Sequence, residues 1–179
     1  MGFGERVYMI NILIDNNGID IVQENLDYFL SIKDKACFFI NATVIEELVN
    51  MGALKKERFV ESNRINLLQE IERHNQKIEK CKKNLLALFH LSPQFVTDSI
   101  FVLGYSRLGC ARLGDCEAYD KLVGKSKSKN VRDSIIGASA FNDGYFVLTN
   151  DRKFRNKMEK NGIQYLNLDE LQQMIKSME

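Results

Sequence analysis

The chain has 179 residues, 45% of them hydrophobic and 27% charged, with 25 Lys and Arg against 24 Asp and Glu. That balance suits one ordinary globular domain and excludes a strongly acidic or basic disordered chain. The longest apolar runs, ILI at 12–14 and ACFFI at 36–40, are far too short to span a bilayer, and no signal-peptide layout opens the chain. A cytoplasmic protein with no membrane partner is therefore expected.

Taken in chain order, VYMINILI (7–14) and ACFFI (36–40) are near-continuous apolar runs, the pattern of strands covered on both faces. IDIVQENLDYFL between them has helical spacing, which makes a β-α-β unit. ATVIEELVNM then reads as a helix, with Thr43 a candidate N-cap and Gly52 near its end. From about Lys55 to Leu91 neither Gly nor Pro interrupts a stretch dense in Glu, Lys, Gln, Asn and Leu, so a long amphipathic helix, or two with a hinge, is expected. Pro93 favours a break or a new first turn, and helical spacing resumes over 94–112, so the helical insertion extends over about 55–112.

GDCEAYDKLVG (114–124) suggests a short helix, and the Gly/Ser/Lys stretch 124–130 a mobile loop. The most regular part follows: helix RDSIIGASAF, turn NDG, strand YFVLT, helix DRKFRNKMEK, turn NG, strand IQYLN and helix LDELQQMIKSM. Alternating β and α predicts a three-layer α/β/α domain, its central parallel sheet covered by helices on both faces.

Cys37, Cys81, Cys110 and Cys116 lie singly, with no C-x-x-C pair, and read as reduced thiols. His74 and His90 form neither an H-E-x-x-H site nor an obvious triad. Chemistry must then rest on carboxylates. In parallel α/β sheets sites assemble at the carboxyl ends of strands, and Asp15 and Asp151 each end a strand there. Asp133 opens the helix before the second of these strands. Ile136 or Gly137 and then Ala140 follow it at i+3, i+4 and i+7, a small apolar face that can press on the sheet and turn Asp133 inward.

A fourth acid comes from TVIEEL. Glu46 and Glu47 point about 100° apart on a helix, and Glu47 is preferred because it borders the buried side marked by Val44, Ile45 and Leu48, with Glu46 as the alternative. Carboxylates crowded at one edge raise one another's pKa unless cations compensate, and oxygen-only ligation suits one or two Mg²⁺ or Mn²⁺ ions. Two such ions about 4 Å apart can activate a water and stabilise a leaving oxygen in phosphodiester cleavage. Taken singly, each acid also has a structural use: Asp15 as a turn residue, Asp133 and Asp151 at helix starts.

ILIDNN (12–17), TVIEEL (43–48) and RDSIIGASAFNDGYFVLTNDRKF (132–154), in that order, resemble the PIN domain family, metal-dependent ribonucleases that include the VapC-type toxins of toxin-antitoxin pairs. The third piece is the most specific, an acid-led helix of small residues, a Gly turn, an apolar strand and TND..F. The resemblance implies a PIN-like fold and a Mg²⁺ or Mn²⁺ dependent endoribonuclease. It puts metal-holding, catalytic roles on Asp15, Glu47, Asp133 and Asp151, and site-shaping roles on Asn16, Thr149 and Asn150. An antitoxin partner and a homodimer are further implications. Asn16 stands where the family often has Ser or Thr, and Lys153 where it often has a second Asp; the stretch from about 55 to 114 fits poorly.

The basic residues Lys125, Lys127, Lys129, Arg132, Arg152, Lys153 and Arg155 flank the acids in sequence and suit RNA phosphates. Tyr145 and Phe154 are candidates to stack on a base, although aromatics at such positions are more often core. A haloacid-dehalogenase-type reading of ILIDNNGI fails, because the second Asp of D-x-D-G-T is Asn17 and the Thr is Ile19. The alternative to the enzyme is a catalytically inactive PIN-like module that binds RNA or protein. Metal-dependent cleavage separates the two.

Overall fold

Apolar runs without polar interruption bury both faces of a strand, and the central strands form at such runs. The computed structural model describes residues 9–51, 64–124 and 130–178. β1 (Ile10–Ile14) pairs in parallel with β2 (Ala36–Asn41), Ile10 beside Ala36 and Leu13 beside Phe39. β3 (Gln94–Val96) extends the sheet beyond β2, β4 (Phe146–Leu148) lies on the other side of β1, and β5 (Tyr165–Leu166) follows β4. The order is β3-β2-β1-β4-β5 and every pairing is parallel.

Helices cover the sheet in a three-layer α/β/α arrangement. α1 (Asn16–Glu24) and α2 (Leu26–Ser31) link β1 to β2; α3 (Ala42–Met51) and α4 (Arg64–Leu91) precede β3; α5 (Glu117–Val123) and α6 (Val131–Asp143) precede β4; α7 (Arg152–Lys160) and α8 (Leu168–Lys176) complete the chain. The helix expected over 19–30 is thus two helices that meet at Asn25, whose backbone leaves the helical region at φ −131° and ψ 35°.

From β1 the chain winds outward to β2 and β3, then returns across the sheet to β4. The winding reverses between β1 and β4, the kind of place where parallel sheets open a crevice at their carboxyl ends. Leu13 pairs with Phe39 and Ile14 with Leu148, so two steps beyond the first pair and one beyond the second Asp15, Asn41 and Thr149 lie level with one another. All three are buried, and the sheet therefore changes from apolar to polar at one height. α6 wedges two cores apart: Ile136 and Ala140 join the main one, while Ile135 and Ala138 join a smaller one with Ile100, Ala118, Val123 and Val131.

Two expectations need correction. Residues 94–112 are not helical: β3 runs from Gln94 to Val96, and turns carry the chain to α5. A three-residue edge strand, with Phe95 exposed, gives no local period to distinguish it from helix; its pairing with β2 decides. Thr43 does not cap α3. Asn41, three residues before Val44, accepts the Val44 N–H at 3.2 Å, and the Thr43 hydroxyl donates instead to Asp98 Oδ2 at 2.9 Å.

The expected long helix is α4, continuous over 28 residues, with residues 52–63 of the predicted insertion outside those described. Cys81, Asn84, Ala87, Leu88 and Leu91 are its buried stripe, so its C-terminal half is the part anchored to the body. The four cysteines form no disulfide, and among the described residues no helix is long and apolar enough to cross a membrane.

Candidate functional site

Asp15 follows the last residue of β1 in extended backbone, at φ −84° and ψ −179°, and caps α1: its Oδ1 accepts the Gly18 N–H. Gly18 is needed there because a Cβ would run into the Leu148 carbonyl oxygen of β4 and crowd Asp15 Oδ1. The first turn of α1 thereby lies against the end of β4, and Asp15 is 4% exposed. Burial pushes its carboxyl up to about 7, and the Asp133 and Asp151 charges add to that; hydrogen bonds from Thr149 and Gly18 oppose it only in part.

Asp151 caps α7, its Oδ1 accepting from Lys153 N at 2.7 Å and Phe154 N at 3.0 Å, while its own N–H donates to Thr149 Oγ1 at 3.0 Å. Asp133 sits in the first turn of α6, and burial raises its carboxyl pKa against the opposing charge of Lys157, with Asp151 adding to the rise. Glu47, on α3, accepts from Asn16 Nδ2 at 3.3 Å and pairs with Arg132 at 3.6 Å. Burial raises its carboxyl too; Arg132 opposes this and Asp133 reinforces it.

All four acids, from four different elements, line one cavity of about 240 Å³. Glu46 does not: it faces a separate groove and pairs there with Arg107, so of the two neighbouring glutamates Glu47 is the one that lines this cavity. Capping and cavity lining are compatible, since Asp15 and Asp151 do both. The N-termini of α1 and α7 bring their partial positive charge to the cavity, which tempers the repulsion without removing it.

Other expected residues divide. Asn16 lines the cavity, and buried Thr149 bridges Asp15 and Asp151, whereas Asn150 is exposed. Arg132 is engaged by Glu47, Arg152 and Lys153 are exposed on α7, and Lys125, Lys127 and Lys129 lie outside the described residues. Arg155 is half-buried, its Nε enclosed with no acceptor. Phe154 is core at 2% exposure, and Tyr145 stacks on Phe39 with ring centroids 4.6 Å apart, so both aromatics serve packing.

The sequence reading missed Asp20 and Lys80, which line the cavity, and Lys157, whose charge acts on Asp133. Lys80 comes from α4, and its position relative to Asp15 is set by how α4 packs on α1, which no local pattern records.

Among the described residues, no three His, Cys, Asp or Glu side chains are gathered tightly enough to hold a metal ion as they stand. The acids ring a space instead of converging on a point, as unneutralised carboxylates should. By type they fit a hard divalent ion: four carboxylates, together with Asn16 Oδ1, a buried acceptor in the cavity lining without a hydrogen-bond donor.

No protein-family model and no curated protein matches this chain. Its fold is similar to the crystal structure of PAE2754 from Pyrobaculum aerophilum, with a TM-score of 0.50 and 14% identity over 98% of this chain and 96% of that one. At that identity the likeness concerns the fold alone.

Proposed function

We propose that the protein is a metal-dependent endoribonuclease of the PIN type that cleaves RNA phosphodiester bonds at the acid cavity. One observation carries the reading: Asp15, Glu47, Asp133 and Asp151, up to 136 positions apart in sequence (151 − 15), line the same cavity at the reversal point of the sheet. Crowding buried carboxylates without full neutralisation costs stability, which a fold tolerates where charge is used.

Mg²⁺ or Mn²⁺, when bound, acidifies a water for in-line attack and neutralises charge on the phosphoryl group. Asp15, Asp133 and Asp151 supply hard anionic oxygens for it. Asn16 and Arg132 hold Glu47 from two sides and fix its approach to the others. The buried Thr149 hydroxyl spaces Asp15 from Asp151. Arg152 and Lys153, exposed next to Asp151, give RNA phosphates a landing surface beside the cavity.

The direct test is calorimetric titration with Mn²⁺ of the wild type and Asp151→Asn, followed by cleavage assays on several RNAs. Binding lost in the variant, together with Mn²⁺-dependent cleavage by the wild type alone, is the expected result. A toxin role adds its own expectation, growth arrest on expression of the wild type but not of Asp133→Asn.

The second reading, a catalytically inactive module of the same fold, is favoured by the engagement of Glu47 with Arg132 and Asn16 and by the spread of the acids. It predicts RNA or protein binding with neither Mn²⁺ uptake nor cleavage.

A further inference from the structure

We infer that Lys80, held by Asp20, which Asn84 orients in turn, is a phosphate-gripping residue of the acid cavity and marks one end of the bound RNA strand; this rests on the nuclease reading. Among the described residues, the cavity lining contains five carboxylates, those of Asp15, Asp20, Glu47, Asp133 and Asp151, and one cationic side chain, Lys80. A polyanion approaching five carboxylates needs a compensating cation at close range, and this ammonium lines the same space.

Its position is built. Lys80 Nζ lies 2.6 Å from Asp20 Oδ2, and the other oxygen of Asp20 accepts from Asn84 Nδ2 at 2.9 Å. Asn84 is fully buried one helical turn after Lys80 on α4, so α4 orients the carboxylate that holds its own lysine. The Lys80 side chain is 52% exposed and that of Asp20 30%. An exposed pair of this kind is weak, so the ammonium can exchange part of its contact with Asp20 for a phosphate while its position is kept.

The end of the strand follows from what lies beyond. Asp20 and Lys80 also line a second cleft between α1 and α4, of about 540 Å³, whose further walls carry Glu24, Glu72 and Glu79 against one further cation, Lys83. Acids outnumber cations there, so that cleft is the less favourable path for phosphates. On the side of Asp151, α7 offers the exposed Arg152 and Lys153. A strand therefore enters over the start of α7, crosses the acids and makes its last phosphate contact at Lys80.

The test compares wild type, Lys80→Gln and Lys80→Arg on a short single-stranded RNA, with Mn²⁺ for cleavage, and with Ca²⁺ for binding at several salt concentrations. Lys80→Gln should raise KM about tenfold with kcat within about threefold, and flatten the slope of log binding constant against log salt by about 0.7, one single-strand phosphate contact. Mn²⁺ affinity and melting temperature should stay at wild-type values, and Lys80→Arg should restore most of the loss. Wild-type KM and salt slope in Lys80→Gln overturn this inference alone. So does a loss of Mn²⁺ affinity as large as the rise in KM, which would make Lys80 a structural group. A wild type that binds RNA without cleaving it fails as a nuclease, yet the salt slope still decides the role of Lys80; a wild type that does neither overturns both.

Discussion

Helix α3 carries neighbouring glutamates into two different grooves, and the acids of those grooves are partnered to different extents. In the groove lined by Glu46, protein donors answer each charge. Asp98 accepts from the Thr43 hydroxyl at 2.9 Å and the Thr43 N–H at 3.3 Å, and Glu46 pairs with Arg107 at 3.4 Å. Asp98 thus serves the Thr43 amide at the start of α3, a structural task, although burial and the Glu46 charge raise its carboxyl too. In the cavity lined by Glu47, the donors that reach Asp15 leave its carboxyl raised to about 7, and Asp133 is raised as well. The Glu46 groove supplies its own cation in Arg107; under the proposed nuclease reading the acid cavity takes its cation from outside.

The largest expected effect tests that contrast through pH. Asp15 binds its proton more tightly in the folded chain, at about 7, than at the ordinary value of 3.8. Its contribution is therefore most favourable below about pH 4, falls as pH rises through the window from 3.8 to about 7, and is level above it. At neutral pH the cost approaches about 4 kcal/mol. Thermal midpoints in a chelator should fall by on the order of 10 °C across that window. Asp15→Asn should flatten the fall and melt higher than wild type at pH 7.5, because an amide oxygen still accepts the Gly18 N–H. A metal-free midpoint that rises from pH 4 to 7 contradicts the assignment.

Removing an acid from the other groove should have the opposite sign. Asp98→Ala withdraws two hydrogen bonds from a buried carboxylate and strands the Thr43 N–H and hydroxyl, at a cost of about 2 kcal/mol in denaturant unfolding. Mn²⁺ should bind this variant as it binds wild type. If Asp98→Ala is neutral or stabilising, the two grooves do not differ as described.

Next in size is Asn16→Ala. It releases one side of Glu47 while leaving the Arg132 pair and also removes the unpaired Oδ1 of the donor set, and should weaken Mn²⁺ binding by about tenfold in calorimetry with little change in folding, as expected of a group that orients one ligand and offers another. An unchanged affinity would mean that Glu47 is placed by α3 and Arg132 alone and that Asn16 Oδ1 does not meet the ion.

The same division explains what the sequence revealed. β1, β2, α6, β4 and α7 were legible because each carries its own period, cap or turn, and the acids were legible because they stand where those periods end. Glu46 and Glu47 could be separated only by a burial argument from Val44, Ile45 and Leu48, and it is Glu47 that lines the cavity with the other acids. Other features depend on distant partners. β3 becomes a strand by pairing with β2 more than 50 positions away, Asn41 takes the cap expected of Thr43 because Asp98 claims the Thr43 hydroxyl, and Lys80 joins the cavity because Asp20 meets α4. Such pairings leave no trace in hydrophobic spacing.

The smallest effect is the sharpest control. Glu46→Gln loses a single ion pair at 3.4 Å to Arg107, whose side chain is 72% exposed, and exposed pairs contribute little. Stability should change by less than about 0.5 kcal/mol, with Mn²⁺ binding and cleavage untouched. Glu47→Gln, one residue along the same helix, removes the same charge yet should weaken Mn²⁺ binding measurably, since the carboxylate it replaces lines the acid cavity. Helix propensity is nearly the same for both substitutions, so a difference between them reports the groove and not the helix. Equal effects on Mn²⁺ would show that the ion senses only the general charge of α3, and the acid cavity would lose its claim to be a site.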